Sequence, residues 1–98
     1  MNKQELYEKC LEKWGLLSQI LMVAEESCEL THAALGLNRA SKQEGALDHF
    51  AEEIADVELM IDEMKHYYHY ENLRERVDAW RLEKEERLCK KVEGEDTQ

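Results

Sequence analysis

Residues 25–29 read EESCE and residues 52–58 read EEIADVE, two acidic clusters set inside apolar sequence. Within them Glu26 and Glu29 stand three apart, and so do Glu53 and Asp56. Residues three apart on a helix share a face. Several carboxylates a few ångström apart repel one another, and at least one is pushed toward its neutral form unless a cation compensates. Hard divalent cations resolve this, because Mg²⁺ takes oxygen ligands and is held by a few carboxylates together with substrate phosphates and water. The chemistry of such a centre is metal-assisted attack of water on phosphorus. Acidic pairs at this spacing also decorate ordinary solvated helix faces, and among 23 acidic residues Glu83 with Glu86 is a further case. The two pairs in question differ from it in standing on the most apolar segments, at matching heights.

That match depends on the helices that carry them. The first helix is expected at about 3–13, with Asn2 and Glu5 as a capping box and Gly15 as its end. The second is expected at about 18–35, where Ile20, Val23, Ala24, Ser27, Leu30 and Ala34 follow helical spacing. Leu21, Cys28 and Leu35 widen its apolar face, Cys28 reads as a core residue, and Gly36 is the expected stop. Residues 36–48 form a connection, in which Ser41 with Glu44, or Asp48 alone, could start the next helix. The third helix, from 46 or 49 to about 69, carries Phe50, Ile54, Val57, Ile61, Met64 and Tyr68 alternately four and three apart. That is a seam for an antiparallel partner. A fourth helix is expected at about 73–92, with Asn72 and Glu75 as a second capping box and Leu73, Val77, Trp80, Leu82, Leu88 and Val92 as apolar residues. If the second and third helices pair antiparallel, residue 29 lies level with 53 and residue 26 with 56. Four carboxylates then meet between two helices.

Composition agrees with an all-α chain. There is no proline, only four glycines, and 43% apolar against 37% charged residues in 98. The expectation is one domain over 1–93 with a polar tail at 94–98, folded as an antiparallel bundle of about four helices. So short a chain buries a limited core, and oligomerisation is one way to enlarge it. A net charge of −10 argues against binding DNA, RNA or a membrane surface. No apolar run approaches the ~18 residues of a membrane span, and MNKQELYEK is unlike a signal peptide, so a cytoplasmic protein is expected. Cys10, Cys28 and Cys89 are widely spaced and read as reduced thiols.

A rival metal chemistry is visible in Glu29-x-x-His32 and Glu63-x-x-His66, which have the spacing of di-iron carboxylate bundles. The antiparallel register separates them: residue 66 lies level with 16, which leaves the two histidines roughly 24 Å apart along the helices. His32 and His66 then read as packing or surface residues, and His49 and His69 as markers of helix ends.

Glu25-Glu26-x-x-Glu29, followed after 23 residues by Glu53-x-x-Asp56, resembles the EExxE…ExxD signature of MazG-like proteins, in the all-α nucleoside triphosphate pyrophosphohydrolase superfamily. The resemblance covers about residues 14–90 and includes the segment ADVELMID. It implies hydrolysis of a (d)NTP to the monophosphate and pyrophosphate with Mg²⁺, Mn²⁺ being the alternative ion. It implies Glu26, Glu29, Glu53 and Asp56 as metal ligands. Glu25 would orient the attacking water or sit behind the ligands, if it is not simply a solvent-facing residue. Lys84 and Arg87 on the last helix are candidates for contact with phosphate, or a salt-bridged face. Arg39 and Lys42 are further cations, in the connection. Relatives often carry an asparagine four residues after the lysine, where this chain has Leu88. Trp14 could stack on a base, or pack at a helix end, and Gln19 could hydrogen-bond the base. Family members assemble as homodimers or homotetramers. The alternatives to an enzyme are a non-catalytic MazG-like interaction module, which Leu88 favours, and a di-iron or purely structural bundle.

Overall fold

A computed structural model describes residues 1–39 and 45–94, the side chains of 38 and 39 excepted. The described residues form four α-helices and a short 3₁₀ turn, with no strand: α1 is Lys3–Trp14, α2 Leu16–Arg39, α3 Ala46–Tyr67, and α4 Leu73–Val92. The 3₁₀ turn, His69–Glu71, precedes α4. The chain divides into a unit of residues 1–67 and a unit of residues 68–98.

In the first unit Asn2 caps α1 by accepting from the Glu5 amide at 2.8 Å. Gly15 ends α1 as expected and also begins α2. At φ 82° and ψ 156° it holds backbone geometry open almost only to glycine. Its amide closes on the Leu11 carbonyl at 2.8 Å, and its carbonyl accepts from the Gln19 amide at 3.2 Å. One residue therefore reverses the chain, and α2 starts two residues earlier than its apolar spacing suggests.

The helix α2 also runs past its expected stop. Gly36 lies inside it with ordinary helical φ, and nothing approaches the position a Cβ would take. A glycine costs a helix about 1 kcal/mol, which the pairing of α2 with α3 offsets. The positive φ falls instead at Gly45, just before α3. The expected Ser41–Glu44 start and the cations Arg39 and Lys42 fall outside the described residues or side chains.

α2 and α3 are antiparallel neighbours: residues 32–37 of one and 46–49 of the other line a common cavity, while Glu26 meets Glu53 and Asp56. α1 runs parallel along α3, with Lys3 beside Ala55 and Glu58, Tyr7 at Asp62 and Glu8 at His66. The α1–α3 contact is largely polar. The Tyr7 hydroxyl donates to Asp62 at 2.6 Å, the Tyr67 hydroxyl donates to the Tyr7 carbonyl at 2.7 Å, and His66 pairs with Glu8 at 2.8 Å. Glu63 is buried beneath them, hydrogen-bonded with Cys10 and pressed against the same Tyr67 hydroxyl. Burial and the neighbouring Asp62 push the Tyr7 hydroxyl up to about 12. Burial and Glu63 push Tyr67 and Cys10 up as well.

Among the described residues the buried apolar ones are Tyr7, Ala33 and Met60, joined by the polar Gln19, Glu53 and Glu63. Much of the expected core faces outward. On α2, Leu17, Ile20, Leu21, Ala24, Cys28 and Leu35 are all exposed, so Cys28 is no core residue within this chain. On α3 the expected seam splits: Phe50, Val57 and Met64 are half-buried, whereas Ile54 and Ile61 lie open.

In the second unit Asn72 takes the left-handed conformation at φ 57°, without a side-chain capping bond. The expected capping box is thus replaced by backbone closure, the Asn72 amide on the His69 carbonyl at 3.1 Å and the Leu73 amide on Tyr68 at 3.3 Å. Asparagine is among the few residues that visit this conformation readily. α3 ends at Tyr67, two residues short of the expected His69, because the 3₁₀ turn intervenes. No described helix is long and apolar enough to cross a membrane.

Candidate metal centre

α2 and α3 bring Glu26, Glu53 and Asp56 together, with one carboxylate oxygen from each lying within 4.8 Å of the others. Three-residue spacing points Glu53 and Asp56 out of α3 on one side, and the antiparallel pairing sets Glu26 against them. Glu53 is 7% exposed, while Glu26 and Asp56 are half-buried. Glu29 is exposed at the edge of the group, near enough to Glu26 for their carboxyls to hydrogen-bond. One buried oxygen of Glu26 and one of Glu53 have no hydrogen-bond partner. Native proteins pair the large majority of such atoms, so each calls for an explanation, as does the orphaned Glu63 Oε2 outside the group.

The electrostatics have the same cause. Burial, followed by the charges of Glu29, Asp56 and Glu53, raises the Glu26 carboxyl above its ordinary range. Burial, then Glu29 and Asp56, raises Glu53, against a lowering by His49. The helices hold the acids together, and no cation among the described protein groups sits inside the group to compensate them. An all-oxygen anionic donor set with partnerless buried lone pairs fits a hard divalent cation.

The other sequence candidates are placed less tightly. Glu25 is exposed and outside the group. Gln19 is buried, one heptad before Glu26 and therefore on the same side of α2. Trp14 is 54% exposed at the end of α1, with the Lys13 ammonium 5.3 Å from its ring centroid. Lys84 and Arg87 belong to the second unit and are engaged along α4. Arg87 pairs with Glu83 at 3.2 Å, and the Lys84 ammonium lies 5.9 Å from the Trp80 ring. Trp80 itself is 55% exposed. His66 is bound to Glu8 and His32 lines a cavity at the other end of the α2–α3 pair, so the two Glu-x-x-His motifs do not converge.

A second set of possible ligands went unread in the sequence. His49, Glu52 and Glu53 each place a ligand atom within 4.8 Å of the other two. The signal was present as His-x-x-Glu-Glu, at i, i+3 and i+4, hidden by reading His49 as a mark of the helix start.

No protein-family model, curated protein or solved structure matches the chain.

Proposed function

We propose that the chain is a Mg²⁺-dependent nucleoside triphosphate pyrophosphohydrolase of the MazG-like kind, turning a (d)NTP and water into a (d)NMP and pyrophosphate. The observation that carries this reading is the meeting of Glu26, Glu53 and Asp56 between two antiparallel helices, with buried, partnerless oxygens on Glu26 and Glu53. These are three of the four carboxylates that the EExxE…ExxD pattern marks as ligands, which supports the reading.

Glu26, Glu53 and Asp56 would hold Mg²⁺ or Mn²⁺, with Glu29 at the exposed edge as the fourth carboxylate. A cation bound there supplies charge neutralisation and Lewis-acid polarisation of phosphoryl oxygens. Glu53, fixed by burial, anchors the group, while half-buried Glu26 and Asp56 leave one side open to an anion. Exposed Glu25 is assigned the orientation of the attacking water. Gln19 and half-exposed Trp14 are assigned to the base. Run in ¹⁸O-labelled water, the reaction should place the label in the nucleoside monophosphate. Label in pyrophosphate, or release of inorganic phosphate instead, would contradict attack at the α-phosphorus.

A non-catalytic module of the same fold is the second reading. It is favoured by Leu88 in the expected asparagine position and by the engagement of Lys84 and Arg87 along α4.

The same proposal includes a homodimer or homotetramer built as a helical bundle. Leu21, Cys28 and Leu35 on α2, and Leu47, Ile54 and Ile61 on α3, are exposed rows at heptad spacing. Heptad rows are what another pair of helices packs against.

A further inference from the structure

The Glu26–Glu53–Asp56 group leaves His49 and Glu52 unused, although they reach the same buried carboxylate. The His49 Nδ1 atom lies 3.6 Å from Glu52 Oε1 and 3.9 Å from Glu53 Oε1. Both separations are too long for a hydrogen bond. They are close to the spacing of atoms that flank one ion: ligands at 2.0–2.2 Å from a metal stand about 3.0–3.6 Å apart. The Glu53 side chain is 9% exposed, and its second oxygen is buried with no partner. His49 and Glu52, by contrast, have side chains 59% and 70% exposed, so an ion can enter without disturbing the core. Beside His49 opens a cavity of about 350 Å³, lined also by His32, Ala33, Gly36 and Ala46.

We infer that His49, Glu52 and Glu53 form a second cation site, favouring an imidazole-binding ion of the Zn²⁺, Fe²⁺ or Ni²⁺ kind and joined to the first site through Glu53. One imidazole with two carboxylates differs from the all-oxygen group beside it. Imidazole suits Zn²⁺, Fe²⁺ and Ni²⁺, whereas carboxylate and water suit Mg²⁺ and Mn²⁺. One stretch of α3 therefore presents a hard site and, one turn nearer its N-terminus, a borderline site. The inference rests on the preceding reading only in taking Glu53 as a ligand of the first ion, and it needs no nucleotide.

The probes are Co²⁺ and Cu²⁺ alone, each added to the full chain. Equilibrium dialysis should find two Co²⁺ per wild-type chain. His49→Ala and Glu52→Gln should each weaken one of them at least tenfold and leave the other. Pulsed paramagnetic resonance with Cu²⁺, an ion that imidazole suits, should show coupling to one imidazole nitrogen, lost in His49→Ala and kept in His32→Ala. All three substituted positions are exposed, and unchanged far-UV circular dichroism verifies folding. A single Co²⁺ per wild-type chain, no nitrogen coupling, or coupling that survives His49→Ala would each overturn the site. Two bound ions with no turnover of any nucleotide would contradict the hydrolase reading and leave this site standing.

Discussion

Glu53 is the residue on which both candidate donor sets converge. It is buried and lies against carboxylates from both α2 and α3. Glu26 and Glu53 both bind protons more tightly folded than unfolded. Their contribution to stability is therefore complete below the unfolded carboxylate range and is lost as pH rises through the raised folded values. Metal-free protein should melt at a higher temperature near pH 5 than near pH 7.5, so far as these groups decide. Mg²⁺ at about a hundred times its dissociation constant should restore about 2.7 kcal/mol at pH 7.5, and less near pH 5, where protons compete. Glu53→Gln should raise the metal-free melting temperature at pH 7.5 and abolish most of the Mg²⁺ effect. Thermal melts with and without chelator check both. Among the site residues, the spacing of the four acids was legible because period and register are sequence properties. The role of His49 was not, since its relation to Glu53 depends on where α3 begins.

At the scale of elements, the contrast between Gly15 and Gly36 is the clearest departure from sequence rules. Each looks like a helix stop, but backbone conformation separates them: Gly15 has φ 82°, while Gly36 is helical with open space around it. Gly36→Ala should therefore stabilise the chain by about 1 kcal/mol, whereas Gly15→Ala should destabilise it by about 1–3 kcal/mol. Denaturant midpoints of the two variants decide the point, and equal effects would contradict the assigned boundaries. The attachment of α1 is tested by Tyr7→Phe, which leaves Asp62 without this donor and should cost about 1–3 kcal/mol. Tyr7 also holds its proton to about 12. Its share of stability is thus intact below the ordinary tyrosine value near 10 and is lost between there and about 12. The helix count and the antiparallel α2–α3 register followed from apolar period and matched charge. The Asn72 conformation and the 3₁₀ turn did not, because a single left-handed residue leaves no periodic trace.

For the whole molecule, apolar pattern and burial disagree in an informative way. Period identified the apolar faces of α2 and α3, yet the rows through Cys28 and Ile54 lie open in the single chain. Sequence reports that a face is apolar and does not report whether the same chain or another copy covers it. Covering by a second copy predicts an oligomer in sedimentation. Leu21→Glu with Leu35→Glu should dissociate it, and a thiol reagent should then reach Cys28 at least tenfold faster. A monomeric wild type would remove that part of the account. The central claim is the acidic group at the α2–α3 contact and its chemistry. Its most direct test is pyrophosphate release from a panel of (d)NTPs with Mg²⁺, wild type beside Glu53→Gln. Mg²⁺-dependent release is expected for at least one nucleotide, reduced about a hundredfold in the variant. No release from any nucleotide, or equal rates for the two proteins, would contradict it.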